Sequence, residues 1–204
     1  MSLAIVNYGM GNIQSLYSAF KYIGCHNTVV VSKKEELLRA DRIVLPGVGN
    51  FGKAVELMAS SGVDSVLREL VIDKGKPMLG ICLGMQLLGL SSSENGDNKG
   101  LGFVDAIVDG FNMNLSPVVP HMGYNQVVNS GLTRLYKDMD AVLDFYFVHS
   151  YKMKSNQDIG QSFCHYGEDF IASFELGNIA GTQFHPELSQ KNGLQVLKNF
   201  IELF

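Results

Sequence analysis

Gly80 to Gly89 reads GICLGMQLLG. A cysteine stands between two glycines, directly after the apolar run PMLGI (Pro77–Ile81) and directly before a stretch with helical spacing. A cysteine that only packs as a small hydrophobe needs no glycine on either side. A G-x-nucleophile-x-G pattern set between a strand and a helix describes instead a sharp elbow that lifts a side chain above the edge of a sheet. Small residues at Gly80 and Gly84 let the backbone make that turn without collision. The start of a helix beside Cys82 favours a thiolate over a thiol. Cys82 is therefore the candidate nucleophile, and a core cysteine in a glycine-rich turn is the competing reading.

Working outward from the elbow, the first half of the chain alternates between strand and helix. LAIVNY (Leu3–Tyr8), NTVVV (Asn27–Val31), RIVLP (Arg42–Pro46) and PMLGI read as buried strands. IQSLYSAFKYIG (Ile13–Gly24), KKEELLRA (Lys33–Ala40) and the stretches Lys53–Ala59 and Val63–Lys74 read as helices, Gly24 being a plausible C-cap. Such alternation predicts an α/β fold, a mostly parallel sheet with helices on both faces. After Gly89 the pattern changes. SSSENGDNKG (Ser91–Gly100) is polar and reads as an exposed loop. FVDAIVDGF (Phe103–Phe111), VLDFYFVHSY (Val142–Tyr151), IGQSFCHY (Ile159–Tyr166), DFIASFEL (Asp169–Leu176) and NIAGTQF (Asn178–Phe184) read as consecutive strands, expected as antiparallel additions to the sheet. GLQVLKNFIELF (Gly193–Phe204) closes the chain as a helix. Neither an internal repeat nor a long linker is visible, so residues 1–204 are expected to form a single domain.

The composition excludes several classes of function. The 204 residues are 46% hydrophobic and 18% charged, with a formal net charge of −4, which fits a globular protein and leaves no basic footprint for nucleic acid. No apolar run approaches the roughly 18 residues of a membrane span. MSLAIVNYGMG at the start lacks the basic region and cleavage pattern of a signal peptide. The three cysteines, Cys25, Cys82 and Cys164, are spaced for neither a disulfide framework nor a zinc site, so no metal or cofactor is expected and a reducing cytoplasm is the simplest compartment.

A nucleophilic cysteine needs a base. Of the five histidines, His185 in GTQFHPEL stands out, because it follows a predicted strand and precedes Pro186, which biases it toward an extended backbone. In an extended chain Glu187 points to the same side and would hold the imidazole in one tautomer. His121 and His149 have no carboxylate two residues on, and His26 and His165 read as surface or strand histidines. LPGVGNFG (Leu45–Gly52) again follows a strand, at the edge where Cys82 emerges. Its glycines allow backbone N–H groups to approach a developing oxyanion, so one donor is expected at Val48 or Gly49 and the other at Leu83. The G-x-x-x-x-G-K-[ST] phosphate loop is absent from this stretch.

Together PGVGNFG, GICLGMQLLG and TQFHPE resemble the motifs of the triad-type (class I) glutamine amidotransferases, in that family's order and along nearly the whole chain. The resemblance implies a flavodoxin-like three-layer sandwich and a glutaminase. Cys82 would attack the side-chain amide of glutamine, a glutamyl thioester would form as ammonia leaves, and water would release glutamate. Gln86 would help hold the glutamine beside Gly47, with His149, Ser150 and Tyr151 of VHSY on its far side. NYGMGN (Asn7–Asn12), Met85, VPHMGYN (Val119–Asn125) and YFVHSY (Tyr146–Tyr151) are most similar to the glutaminase subunits of imidazole glycerol phosphate synthases. That likeness implies a heterodimer with a barrel-shaped cyclase subunit, through which ammonia passes to complete imidazole glycerol phosphate in histidine biosynthesis. It also puts Asn12, His121, Tyr124 and Leu188 on the partner side. The family usually has Trp at the position of Tyr124 and Lys at that of Leu188, so a paralogue serving another synthase, such as one amidating a surface-glycan sugar, is the alternative. A self-contained cysteine hydrolase is a second alternative.

Overall fold

The computed structural model describes residues 2–115, 118–129 and 131–204. The first half runs β1 (Leu3–Val6), α1 (Ile13–Tyr22), β2 (Thr28–Val31), the one-turn α2 (Lys34–Leu37), β3 (Arg42–Leu45), α3 (Phe51–Ser61), α4 (Val63–Arg68), β4 (Met78–Ile81) and α5 (Leu83–Leu87). The second half runs β5 (Ser91–Ser92), β6 (Asn98–Lys99), β7 (Ile107–Gly110), β8 (His121–Val128), β9 (Val142–His149), β10 (Tyr151–Lys154), β11 (Ser162–Tyr166), β12 (Glu168–Leu176), β13 (Ile179–Thr182) and α6 (Gln190–Leu203).

Among the described residues, nine strands form one sheet in the order β2-β1-β3-β4-β13-β12-β11-β8-β9. The first five run parallel, as the strand–helix alternation predicts, and the remainder join antiparallel. Apart from the edge strand β2, whose Val29 and Val30 are exposed, the parallel strands are buried on both faces, because alternate residues feed separate cores. Ala4 and Val6 of β1 pack with Phe51, Ala54 and Met58 of α3, while Leu3 and Ile5 pack on the other side with Leu16 and Phe20 of α1 and Val196, Leu197 and Phe200 of α6. Three layers result, with helices on both faces.

The second half departs from the sequence reading in four places. The stretch expected as an exposed loop carries β5 and β6, which pair with β7 and β10 in a separate four-stranded sheet. Only Ile107–Gly110 of the expected strand over residues 103–111 is extended, and it belongs to that small sheet. VLDFYFVHSY is not one strand, since the chain breaks at Ser150 and delivers β9 to the large sheet and β10 to the small one. β8 was not expected as a strand at all. Its inward positions are His121, Gly123, Asn125 and Val127, while Met122, Tyr124 and Val128 are exposed, so its polarity runs opposite to the apolar-in pattern by which strands are recognised.

Candidate active site

The site is built where β4 and β13 end side by side. These strands are parallel neighbours with Ile81 opposite Thr182, so the residues that follow each leave the sheet at one edge. Cys82 turns out of β4 with φ +54° and ψ −113°, a backbone conformation that costs of order 1–3 kcal/mol for a residue with a side chain. The surroundings hold it there: its N–H donates to Thr182 O at 2.7 Å, and its carbonyl accepts from Gln86 N at 3.2 Å. The flanking glycines are required by space. A Cβ on Gly80 would stand 2.7 Å from Met85 Cα, and one on Gly84 would stand 1.8 Å from the carbonyl oxygen of Leu45.

Past the end of β13, His185 Nδ1 lies 2.9 Å from Glu187 Oε1, and their side chains are 4% and 1% exposed. The pairing arises differently from the expected extended strand. Pro186–Leu188 is a single 3-10 turn, which folds Glu187 back onto the ring. The turn is tied down by its neighbours: His185 N donates to Tyr146 O at 2.9 Å, Ser189 Oγ donates to His185 O at 2.7 Å, and Tyr146 N donates to Ser189 Oγ at 2.9 Å. His185 Nε2 is buried and makes no hydrogen bond. Burial alone would lower the pKa of this ring, but attraction to Cys82 and the bond to Glu187 outweigh it and push it up to about 10.

A cleft of about 270 Å³ opens over Cys82. Val48, Gly49, Leu83, Gln86, His149, Ser150 and Tyr151 all line it. Gly47 does not; a Cβ there would lie 2.8 Å from Gly84 N, Leu83 Cβ and the Tyr8 hydroxyl, so this glycine serves the packing of two loops. Tyr8, from NYGMGN, donates to the Pro46 carbonyl at 3.0 Å and thereby anchors the start of the PGVGN loop. Gly49 has φ +101°, which favours glycine.

Glu94 also lines the cleft, and the sequence reading missed it. Its Oε2 accepts from Phe51 N at 2.8 Å at the start of α3. A single glutamate in a polar stretch carries no periodic or motif signal, and only the folding of that stretch over the elbow brings it here.

Of the residues expected on a partner face, Tyr124 and Leu188 are 51% and 39% exposed, and Asn12 is half-buried. Tyr124 Oη donates to Leu188 O at 2.8 Å. His121 is a correction. It is 2% exposed, with its ring stacked on Tyr166 at 4.0 Å and on Phe147 at 4.9 Å, so it faces the interior. His26 and His165 are exposed. Cys164 is buried, and burial pushes its thiol up to about 12.

The buried His121 and His149 are held down by burial, to about 4 and about 3 from an ordinary 6.5. The unfolded chain therefore takes up protons that the folded protein refuses as the pH falls below 6.5, and stability is lost progressively from there to about pH 4. At 1.36 kcal/mol per pKa unit, His121 alone costs roughly 3 kcal/mol across that window. His185, shifted upward, offsets only a small part of this loss, because its stabilisation is nearly complete once the unfolded ring is protonated a little below 6.5. Thermal melts at about pH 7, 5.5 and 4.5 should show a steady fall, which should shrink in His121→Phe. A flat response would contradict the burial of these rings.

Among the described residues no helix is long and apolar enough to cross a membrane. Residues 4–203 match the family model "Glutamine amidotransferase class-I". The chain is 41% identical over 201 residues to "Imidazole glycerol phosphate synthase subunit HisH 1" of Campylobacter jejuni (strain RM1221), covering 98% of this chain and 100% of that protein. It is 40% identical over 203 residues to subunit HisH 2 of Pseudomonas aeruginosa PAO1 (98% and 99% covered), and 42% identical over 198 residues to subunit HisH of Bacillus cereus G9842 (97% and 93% covered). Among solved structures, a glutamine amidotransferase superposes with a TM-score of 0.77 at 18% identity over 100% of this chain and 98% of that one. PurLQS from Thermotoga maritima gives 0.75 at 18% identity over 98% and 97%. At that identity the two structures speak for the fold.

Proposed function

The chain belongs to the class I glutamine amidotransferase family, and from that premise we propose that it is the glutaminase subunit of an imidazole glycerol phosphate synthase, acting through Cys82, His185 and Glu187 as one domain over residues 1–204. The observation that carries this reading is the elbow: a strained Cys82 and a His185–Glu187 pair leave adjacent strands at one sheet edge, over a cleft. In the reaction His185, held protonated beside Cys82, keeps the proton while the sulfur attacks the side-chain amide carbon of glutamine. The N–H of Leu83, with that of Val48 or Gly49, receives the oxyanion, an interaction whose loss typically costs about 2.7–4 kcal/mol in the barrier. The intermediate collapses as His185 gives its proton to the departing ammonia. Water, activated by the same imidazole, then cleaves the glutamyl thioester and releases glutamate. Glu187 holds the imidazole and stabilises its charged form. Glu94 is the carboxylate that suits the α-ammonium group of the substrate.

Ammonia then passes to a cyclase subunit in the cytoplasm. Support for a docked partner comes from the inverted strand β8, whose exposed Met122 and Tyr124 share one face and whose Tyr124 bonds to the turn that carries Glu187. An apolar face beside the catalytic turn is the place for a partner to be felt. Leu188 offers apolar area there, so the partner should meet it with an apolar patch. The test is glutamate release from glutamine by the chain alone, with the histidine-pathway cyclase of its own genome, and with any barrel-type paralogue encoded nearby. Strong stimulation by the histidine cyclase and a substrate analogue is expected. Stimulation by the paralogue alone would move the acceptor to another synthase, and full activity without a partner would make this a free-standing hydrolase.

A further inference from the structure

The imidazoles of His121 and His149 touch inside the protein, and the chemistry above uses neither. They are register partners on β8 and β9. His149 Nδ1 lies 2.8 Å from the Tyr151 carbonyl oxygen, which can only accept, so Nδ1 carries the proton. Nε2 of the same ring is then an acceptor, and His121 Nδ1, 3.0 Å away, must donate to it. That leaves His121 Nε2 as an acceptor, 3.3 Å from Asn125 Nδ2. The other end of the chain agrees independently. The Asn125 side-chain oxygen accepts from Gln126 N at 2.8 Å and its nitrogen donates to His165 O at 3.0 Å, which turns the nitrogen toward His121. An extra proton on either ring would set two N–H groups head-on. Both rings are thus neutral and each has one tautomer.

The chain of bonds continues to the nucleophile. The Tyr151 carbonyl also accepts from Gln86 Nε2 at 2.9 Å, and the second hydrogen of that nitrogen goes to Gln183 Oε1 at 2.8 Å. Gln183 Nε2 lies 3.7 Å from the Cys82 sulfur. Both hydrogens of the Gln86 amide are therefore consumed inside the protein, and the atom it has left for the cleft is its oxygen. We propose that His121 and His149 are positioning residues, a neutral relay that holds the Tyr151 carbonyl in place and through it Gln86, so that the cleft presents an acceptor to the amino and amide donors of glutamine. The same oxygen repels a carboxylate and so favours glutamine over the product glutamate. This deepens the glutaminase reading and rests on it. The charged groups around the relay suit neutral rings: Lys152, paired with Glu168 at 3.1 Å, and His185 both act on His149 as cations.

The experiment uses the full chain labelled with 15N-histidine. Long-range proton–nitrogen correlation should find His121 and His149 as neutral Nδ1–H tautomers from about pH 7 to about pH 5, where an ordinary imidazole has become cationic. In kinetics with the activating cyclase, His121→Phe, which keeps a ring but no donor, should raise KM for glutamine by about tenfold or more, the scale of about one lost hydrogen bond, with a smaller fall in kcat. His121→Asn, which restores a donor where Nδ1 stood, should stay within about threefold of the parent. An Nε2–H tautomer or a cationic ring at about pH 6 in the parent spectra overturns the relay, as does an unchanged KM in a folded His121→Phe. Should that variant not fold, the parent spectra decide. Glutamate release absent from the parent itself would sink the glutaminase reading, and the spectra would still judge the relay.

Discussion

Cys82→Ser is expected to lose glutaminase activity by a factor on the order of 10⁴ or more, the scale on which removing a nucleophile disables a unit of nucleophile and base. A hydroxyl is far less ionised than a thiol beside the same imidazole, and the serine oxygen, being smaller, sits farther from the substrate carbon. The fold should survive, because the strain at position 82 is imposed by the backbone and serine adopts the same conformation. Glutamate release under saturating glutamine, with the cyclase present, measures the loss, and circular dichroism checks the fold. His185→Ala should approach the same loss, since this buried imidazole interacts with Cys82 on one side and Glu187 on the other. Glu187→Gln should be milder, because an amide oxygen still accepts from Nδ1 without stabilising the charged ring. Near-normal turnover in a folded Cys82→Ser protein would remove the elbow from the mechanism. Cys25→Ser and Cys164→Ser should be near-silent in the same assay.

Gly84→Ala is expected to damage the fold itself. Its Cβ would stand 1.8 Å from the Leu45 carbonyl oxygen and 3.2 Å from the Pro46 carbonyl carbon, both of them backbone atoms at the end of a buried strand. No side chain can rotate away to make room. Either α5 lifts off β3 or the PGVGN loop is displaced, and both changes disturb the core around Leu45 and Leu83. Overpacking in a tight core typically costs about 1–3 kcal/mol and occasionally more, and a clash with main chain belongs at the upper end. For about 200 residues that is a fall in melting temperature of roughly 6–12 °C, at 2–4 °C per kcal/mol. Turnover should fall as well, since the Leu83 N–H and the Val48–Gly49 backbone move with the contact. A melting temperature within about 2 °C of the parent, less than the shift expected from 1 kcal/mol, would mean that the elbow has more slack than its geometry implies.

The parallel half of the fold was legible because its inner strands are buried on both sides, so their apolar runs stand out from the amphipathic helices around them. The elbow was legible for a related reason: a tight turn demands glycine at fixed offsets, and Gly80 and Gly84 are written into the chain. The H-P-E pairing was readable as a partnership, but the route to it was not, because the 3-10 turn at Pro186–Leu188 depends on the bonds that Tyr146 and Ser189 make across the fold.

What only the tertiary structure decided lies in the second half. Glu94 enters the cleft because β5 and β6 fold over α3, and no local feature of a polar stretch encodes that placement. β8 hides its strand character by turning His121 and Asn125 inward and Met122 and Tyr124 outward, so its polarity pattern points the wrong way until the pairing with β9 is known. Resemblance alone puts His121 on the partner side, yet it is satisfied inside by another imidazole from a strand 28 residues away. The sequence by itself determined the parallel core and the residue types of the elbow, since backbone sterics and two-sided burial act over a few neighbouring positions. Long-range hydrogen bonding decided where the polar residues of the second half go, because a buried donor needs its acceptor, and that acceptor stands on a different strand.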